Sequence, residues 1–326
     1  MATILITWPD FDAEGADVGR RLTEAGHRLR IAPRTADRTP RDLLALLEGV
    51  EAAIVSTDPF DAGVLDAAAR LRVIARVGVG TDSIDLQAAA RNGVAVCTTP
   101  GANTSSSADH TVALMLAALR RVPAHDRAIR AGRWERTGPA VGSELGGATV
   151  GLVGYGAIGR AVHERLTGFG ARILICDPFA PAGGPGVRHV DLDTLLRASD
   201  VVSLHLPLTP GTRHLLDRAR LALLPAHAIL VNTARGGLVD EDALADALEA
   251  GALRAAALDV LALEPSPPGR LHALENVTLT PHVAGLSEPS IREMTRRAVD
   301  AALAVLDGRR PEGLVSISEP NEVTPA

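Results

Sequence analysis

Aromatic side chains are scarce in this chain of 326 residues: four Phe, two Trp and one Tyr, 2% of the total. That removes the stacking platforms by which proteins hold single-stranded nucleic acid. It also leaves few groups to line a bulky aromatic pocket. Trp134 and Phe11 are the exceptions, and Trp134 reads more simply as helix packing. Cysteine is confined to Cys97 and Cys176, each closing an apolar, strand-like run. Two buried thiols in a reducing cytoplasm are expected, and neither a disulfide nor a metal pair. No apolar run approaches the ~20 residues that a membrane span needs. Positive charge is not in excess: 33 Lys and Arg face 39 Asp and Glu, a net charge of −6. A general nucleic-acid surface is therefore not expected. The first residues, Met1–Thr7, enter a strand at once with no basic stretch before it, so no signal peptide is expected. Low-complexity sequence is absent apart from a disordered-looking end, Ser316 to Ala326.

What remains is a globular composition, 46% apolar and 22% charged, long enough for about two domains. The first hundred residues alternate short apolar strands with amphipathic helices. Strands are expected at Thr3–Thr7, His27–Ile31, Ala52–Ser56, Val73–Arg76 and Val94–Cys97. Helices are expected at Ala13–Ala25, Pro40–Leu47, Ala62–Ala69 and Ile84–Arg91. That alternation predicts a parallel sheet covered on both faces. After Thr99-Pro100-Gly101, a helix through Thr111–Leu119 is apolar nearly all round and reads as buried between two bodies, with His110 part of it. Alternation resumes with strands at Asp200–His205, Ala228–Asn232, Ala255–Val260 and Val277–Thr280. A helix is expected over Glu241–Glu249 with Asp240 as its N-cap, and a last helix from about Ser287 to Leu306.

The second body opens on a glycine turn. Val150–Val153 leads into Gly154-Tyr155-Gly156-Ala157-Ile158-Gly159, and Asp177 closes the next strand, Arg172–Cys176. Strand, tight turn, amphipathic helix, strand and acid form the dinucleotide-binding fingerprint. Gly154 permits the turn, Gly156 the approach of a pyrophosphate, and Gly159 close helix–strand packing. The helix N-terminus offers N–H groups and partial positive charge to the phosphates. Asp177 can accept from both ribose hydroxyls and repels a 2′-phosphate, and Pro178-Phe179-Ala180 supply no arginine to hold one. NAD is expected rather than NADP.

Three polar residues then follow strands: Arg235, Glu264 and His282. Taken singly, Arg235 fits a surface ion pair, Glu264 a turn and His282 a loop histidine. Together they fit one reaction, the exchange of a hydride between a nicotinamide and a 2-hydroxy or 2-oxo acid. Arginine offers a planar fork to the substrate carboxylate. Histidine can give or take a proton near neutrality, and the glutamate would keep it aimed. His205 also ends a strand but precedes Leu206-Pro207, and reads as a wall of the cofactor site.

These residues resemble the D-isomer-specific 2-hydroxyacid dehydrogenases, in particular the phosphoglycerate dehydrogenase-like branch. The resemblance rests on Arg76–Asp85, Gly154–Gly159, Asn232–Asp240, Ala257–Val260 with Glu264-Pro265, and Thr280–Gly285. It implies an α/β protein of two doubly wound parallel-sheet domains. A Rossmann NAD domain, 99–285, would be inserted into a flavodoxin-like substrate domain made of 1–98 and 286–326. It implies Arg235, Glu264 and His282 as the catalytic set, with Arg235, His282 and the backbone of Val77, Gly78 and Val79 on the substrate. Cofactor contacts would come from Tyr155, Gly156, Ala157, Ile158, Asp177, His205, Leu206, Pro207, Thr212, Thr233, Ala234, Arg235, Asp259, His282 and Gly285, with Ala108 a further candidate. No metal is implied. Subunits of the family usually pair through their cofactor domains, which implies a homodimer. Asp109 stands where the family often has glutamate, and a C-terminal regulatory domain like that of longer phosphoglycerate dehydrogenases is not expected. Glu264 separates it from formate dehydrogenase. The corepressor relatives of the family, which keep the three residues and use NAD mainly to set their assembly state, are the alternative reading.

Overall fold

The computed structural model describes residues 1–9, 11–12, 18–34, 38–180 and 187–316. The chain divides into two compact units: Met1–Asn103 with Ser287–Ala326, and Thr104–Leu286.

In the first unit, strands β1 (Thr3–Ile6), β2 (Arg28–Ile31), β3 (Ala52–Val55), β4 (Val73–Arg76) and β5 (Ala95–Cys97) form a parallel sheet ordered β2-β1-β3-β4-β5. Helices α1 (Gly19–Glu24), α2 (Pro40–Leu47), α3 (Ala62–Ala67) and α4 (Leu86–Arg91) connect them. Their starts are written locally. Thr39 caps α2 by accepting from the Asp42 N–H, Asp42 returns the bond, and Pro40 fills the first helical position. Asp61 and Asp85 cap α3 and α4 by accepting from the Val64 and Ala88 N–H groups. The helix expected over Ala13–Ala25 is observed only as α1, with residues 13–17 outside those described. The Ser316–Ala326 expectation also falls almost wholly outside them.

In the second unit, β6 (Thr149–Val153), β7 (Arg172–Cys176), β8 (Val187–His189), β9 (Val201–Leu204), β10 (Ile229–Asn232), β11 (Ala255–Leu258) and β12 (Val277–Leu279) form a parallel sheet ordered β12-β11-β10-β9-β6-β7-β8. The order reverses at β6, which makes the carboxyl end of β6 the switch point where such sheets bind ligands. Helices of this unit are α5 (Thr104–Leu119), α6 (Val122–Arg130), α7 (Ala157–Thr167), α8 (Leu192–Ala198), α9 (Arg218–Leu221), α10 (Glu241–Glu249) and α11 (Arg270–Ala273).

β11 is alanine-rich, a poor strand former by propensity. Burial decides the matter: Ala255 and Ala257 share one core cluster with Val112, Met115 and Leu119 of α5. Small side chains there let α5 lie close against β10 and β11. Asp109, the residue that departs from the family's glutamate, pairs with Arg165 of α7 at 2.5 Å. Cys97 is buried, and burial pushes its thiol up to about 11; Cys176 is only half-buried. Both thiols are free, and Cys176 departs from the expected burial.

The last helix, α12 (Glu288–Leu306), returns to the first unit. Met294, Ala298, Val299 and Ala302 pack against Ile4, Ile6, Val73 and Ala75 of its sheet. Each such large aliphatic side chain, fully buried, contributes about 1.5–3 kcal/mol. Arg21 fixes α12 from the side through Asp300 at 2.5 Å. Among the described residues, no helix is long and apolar enough to cross a membrane.

Candidate active site

The glycine turn sits at the carboxyl end of β6. Gly154 has φ +92°, and a Cβ there would lie 2.5 Å from the His205 carbonyl oxygen, so only glycine fits between the ends of β6 and β9. Gly156 is the N-cap of α7 and brings no side-chain cap. The space beyond its Cα is open. The first N–H groups of α7 have no partner within the helix, so a phosphate has both the room and the donors it needs. A dinucleotide fits these residues.

Asp177 follows β7. Its two carboxylate oxygens accept from main-chain N–H groups, Oδ2 from Tyr155 at 2.6 Å and Oδ1 from Phe179 at 2.8 Å. The acid is thereby aimed, and each oxygen keeps lone-pair capacity for a hydroxyl. Tyr155 is held at its other end, its hydroxyl 2.6 Å from His163 Nδ1 on α7. Burial lowers His163 and raises Tyr155 relative to their ordinary values.

Past β9, the His205 ring lies 2.9 Å from Ser203 Oγ, and burial pushes its pKa down to about 4. A ring neutral at all working pH values suits a wall and not an acid. Leu206 and Pro207 follow it in a turn that the Thr212 hydroxyl closes by donating to Pro207 O at 2.8 Å. The Thr233 hydroxyl lies 2.8 Å from that of Thr111 on α5, and Ala234 N–H donates to Asn232 Oδ1 at 3.0 Å. Thr212 and Thr233 thus already use their hydroxyls within the protein.

Arg235, Glu264 and His282 follow β10, β11 and β12, three neighbouring strands. His282 Nδ1 lies 2.5 Å from Glu264 Oε2, and Glu264 Oε1 accepts from Leu261 N–H at 3.1 Å. Both side chains keep about two-fifths of their surface exposed (41% and 36%), so the outer ring nitrogen of His282 is open to a reactant. Arg235 is half-buried, and its Nη1 donates to Ala234 O at 2.6 Å. The next residue, Gly236, is buried so tightly that a Cβ would overlap the Leu261 carbonyl and the Ala262 nitrogen. The loops carrying Arg235 and Glu264 are therefore packed backbone against backbone. Ala262 N–H donates to the Glu241 carboxylate at 2.6 Å, and burial pushes that carboxyl up against the pull of this bond.

Asp259, 1% exposed, holds the segment that presents His282. It accepts from Thr280 Oγ1 at 2.6 Å and from the N–H groups of Val283 and Ala284 at 2.9 and 2.8 Å. Its carbonyl takes the His282 N–H at 2.8 Å. Gly285 ends this segment.

In the first unit, Val77 is buried at the end of β4 and Gly78 follows it. The Gly78 N–H donates to Thr99 Oγ1 at 3.1 Å and its carbonyl accepts from Thr99 N–H at 2.9 Å. Among the described residues, the N–H groups of Val79 and Gly80 have no such partner. Not legible in the sequence are the Thr99 contact and the places of Gly236 and His110 within the protein, while Asp259, expected on the cofactor, also holds the His282 segment. Trp134, read as helix packing, lies beyond α6 and is 77% exposed.

The second unit is a Rossmann dinucleotide-binding unit. Residues 112–284 match the family model of the D-isomer specific 2-hydroxyacid dehydrogenase NAD binding domain. A glyoxylate reductase of Thermofilum pendens is 43% identical over 272 residues, 80% of this chain and 79% of that one. The chain therefore belongs to the D-isomer-specific 2-hydroxyacid dehydrogenase family, and its second unit is that family's NAD-binding domain. A D-3-phosphoglycerate dehydrogenase of Mycobacterium tuberculosis is 43% identical over 282 residues, 85% of this chain; the chain spans about half the length (53%) of that relative. A crystal structure from Thermus thermophilus superposes with TM-score 0.89 at 41% identity, covering 96% of this chain and 100% of the other. A D-lactate dehydrogenase of Aquifex aeolicus, solved with NAD and lactic acid, gives TM-score 0.82 at 27% identity, covering 94% and 96%.

Proposed function

We propose that this protein is an NAD-dependent oxidoreductase of small D-2-hydroxy acids and their 2-oxo acids. The observation that carries the reading is the 2.5 Å contact between His282 and Glu264, one strand away from Arg235. Bound NAD supplies or takes up the hydride at its nicotinamide. The Gly154–Ile158 turn would hold its pyrophosphate and Asp177 its ribose, with Leu206, Pro207, Thr212, Thr233, Ala234 and Asp259 along the same sheet edge.

The protein's own residues do the rest. Arg235 pairs with the substrate carboxylate, and its charge stabilises the oxyanion that grows on the carbonyl. Glu264 accepts the Nδ1 proton of His282, which leaves the Nε2 proton free to be donated. In reduction His282 gives that proton to the carbonyl oxygen; in oxidation the neutral ring takes it from the hydroxyl. With so few aromatics, the substrate is small and polar. The relatives named glyoxylate reductase and phosphoglycerate dehydrogenase support that size class. NADH oxidation against glyoxylate, hydroxypyruvate and phosphohydroxypyruvate tests the reading, and no turnover with any 2-oxo acid would reject it.

Asp177 makes the preference for NADH. Replacing it by alanine removes a carboxylate that a 2′-phosphate would face, a repulsion worth several kcal/mol. The ratio of kcat/KM for NADH over NADPH is expected to fall about 100-fold, since each 1.4 kcal/mol is tenfold. Steady-state kinetics with both cofactors measure it, and an unchanged ratio would remove Asp177 from this role.

We further propose that two copies pair through the NAD-binding unit. Val122 and Ile129, on one face of α6, are 54% and 52% exposed, and Trp134 and Val141 just beyond are 77% and 59% exposed. These four exposed apolar side chains lie close together in sequence and form a candidate contact surface. Trp134→Glu is expected to shift the protein from dimer to monomer in light scattering; a wild-type monomer at the same concentration would refute the pairing.

A further inference from the structure

His282 sits at φ +55°, the left-handed region. A non-glycine residue there costs on the order of 1 kcal/mol and stays only where its surroundings over-determine it. Asp259 supplies part of that restraint. The rest comes from α5.

Ser106 and His110 lie one turn apart on α5 and both reach the segment from Thr280 to Ala284. Ser106 Oγ donates to Ala284 O at 2.9 Å. His110 Nε2 lies 3.0 Å from Thr280 Oγ1 and 3.5 Å from Asp259 Oδ1. Thr280 gives its only hydroxyl proton to Asp259, so its oxygen can only accept from His110. The Nε2 of His110 therefore carries a proton. Thr280 N–H is fixed as well, to Leu258 O at 3.0 Å. The segment is tied on one side to β11 and on the other to α5, with His282 between the ties.

We propose that His110, through Thr280 and Asp259, and Ser106, through Ala284, are positioning residues that hold His282 against Glu264. Neither acts on the substrate. When the ties are cut, residue 282 relaxes toward an ordinary backbone conformation and its ring leaves the carboxylate. The inference rests on the reading of His282 as the acid–base group, and the test separates the two.

The test uses the full chain with His110→Phe, Ser106→Ala, Thr280→Val and Thr280→Ser. Hydrogen exchange of the peptide carrying Thr280–Gly285, followed by mass spectrometry without cofactor, reads the anchoring itself. It is expected to quicken about 10-fold in His110→Phe and Thr280→Val, the effect of losing roughly one net hydrogen bond. Thr280→Ser, which keeps the hydroxyl, restores wild-type exchange. In the same variants kcat falls about 10- to 100-fold, as for a slightly misplaced reacting group, while NADH affinity by fluorescence titration stays near wild type. Unchanged exchange in the segment would overturn the proposal, as would faster exchange with unchanged kcat. Full turnover in a variant lacking the His282 imidazole would instead reject the acid–base reading, and exchange would still judge the anchoring.

Discussion

Replacing His282 by alanine is expected to lower turnover about 10²–10⁴-fold, the share usually carried by a positioned acid–base group. The neighbouring ionisable groups Arg235, His205 and Glu264 are not equipped to move that proton. Arg235 stays charged throughout. His205, held down to about 4 by burial, has no proton to give near neutrality. Glu264 faces His282 from behind, on Nδ1, and so cannot serve the substrate in its place. NADH affinity should change little, because the turn at Gly154 and Asp177 is untouched. Alanine tolerates φ +55° less well than asparagine does, so His282→Asn is the companion variant that removes the acid with less backbone strain. Stopped-flow turnover and NADH fluorescence titration measure both. Full turnover in either folded variant would remove His282 from the chemistry.

Arg235 carries the second large effect. With alanine there, kcat/KM for the 2-oxo acid is expected to fall roughly 10²–10³-fold, from ~2–5 kcal/mol for truncating one partner of a desolvated charge pair. Lysine restores the charge but not the planar fork, so Arg235→Lys should recover only part of the loss. The deficit should appear against the oxo acid and not against NADH. A KM for NADH that rises as much as that for the oxo acid would place Arg235 on the cofactor instead. Gly236 makes this position sensitive in another way, because its backbone is pressed against Leu261 and Ala262. The arginine is thus presented by a loop that has no room to give.

The local features were legible in the sequence. The cap at Asp240, the turn at Gly154 and the acid at Asp177 all depend on neighbours a few residues away. The alternation of strands and helices also predicts β11 despite its alanines. The contacts that join distant segments were not legible. His110 meets Thr280 across 170 residues and Gly78 meets Thr99 across 21. No pattern of periodicity or capping encodes such pairs. His110 looked like one more residue of an apolar helix, and only the packing of α5 on β10 and β11 shows where its ring goes. Trp134 failed for a related reason: an aromatic near a helix is usually core, and only the fold shows that this one faces out.

The return of α12 to the first sheet also sets an order of events during synthesis. The second unit is continuous in sequence and can close as soon as it has emerged. The first has made all five strands by Cys97, yet the face that carries Ile4, Ile6, Val73 and Ala75 waits for Met294 and Val299. At about 5–20 residues per second, that wait is roughly 10–40 s. For that interval the nascent chain shows a bare aliphatic surface, and its first-made part is the last to finish folding.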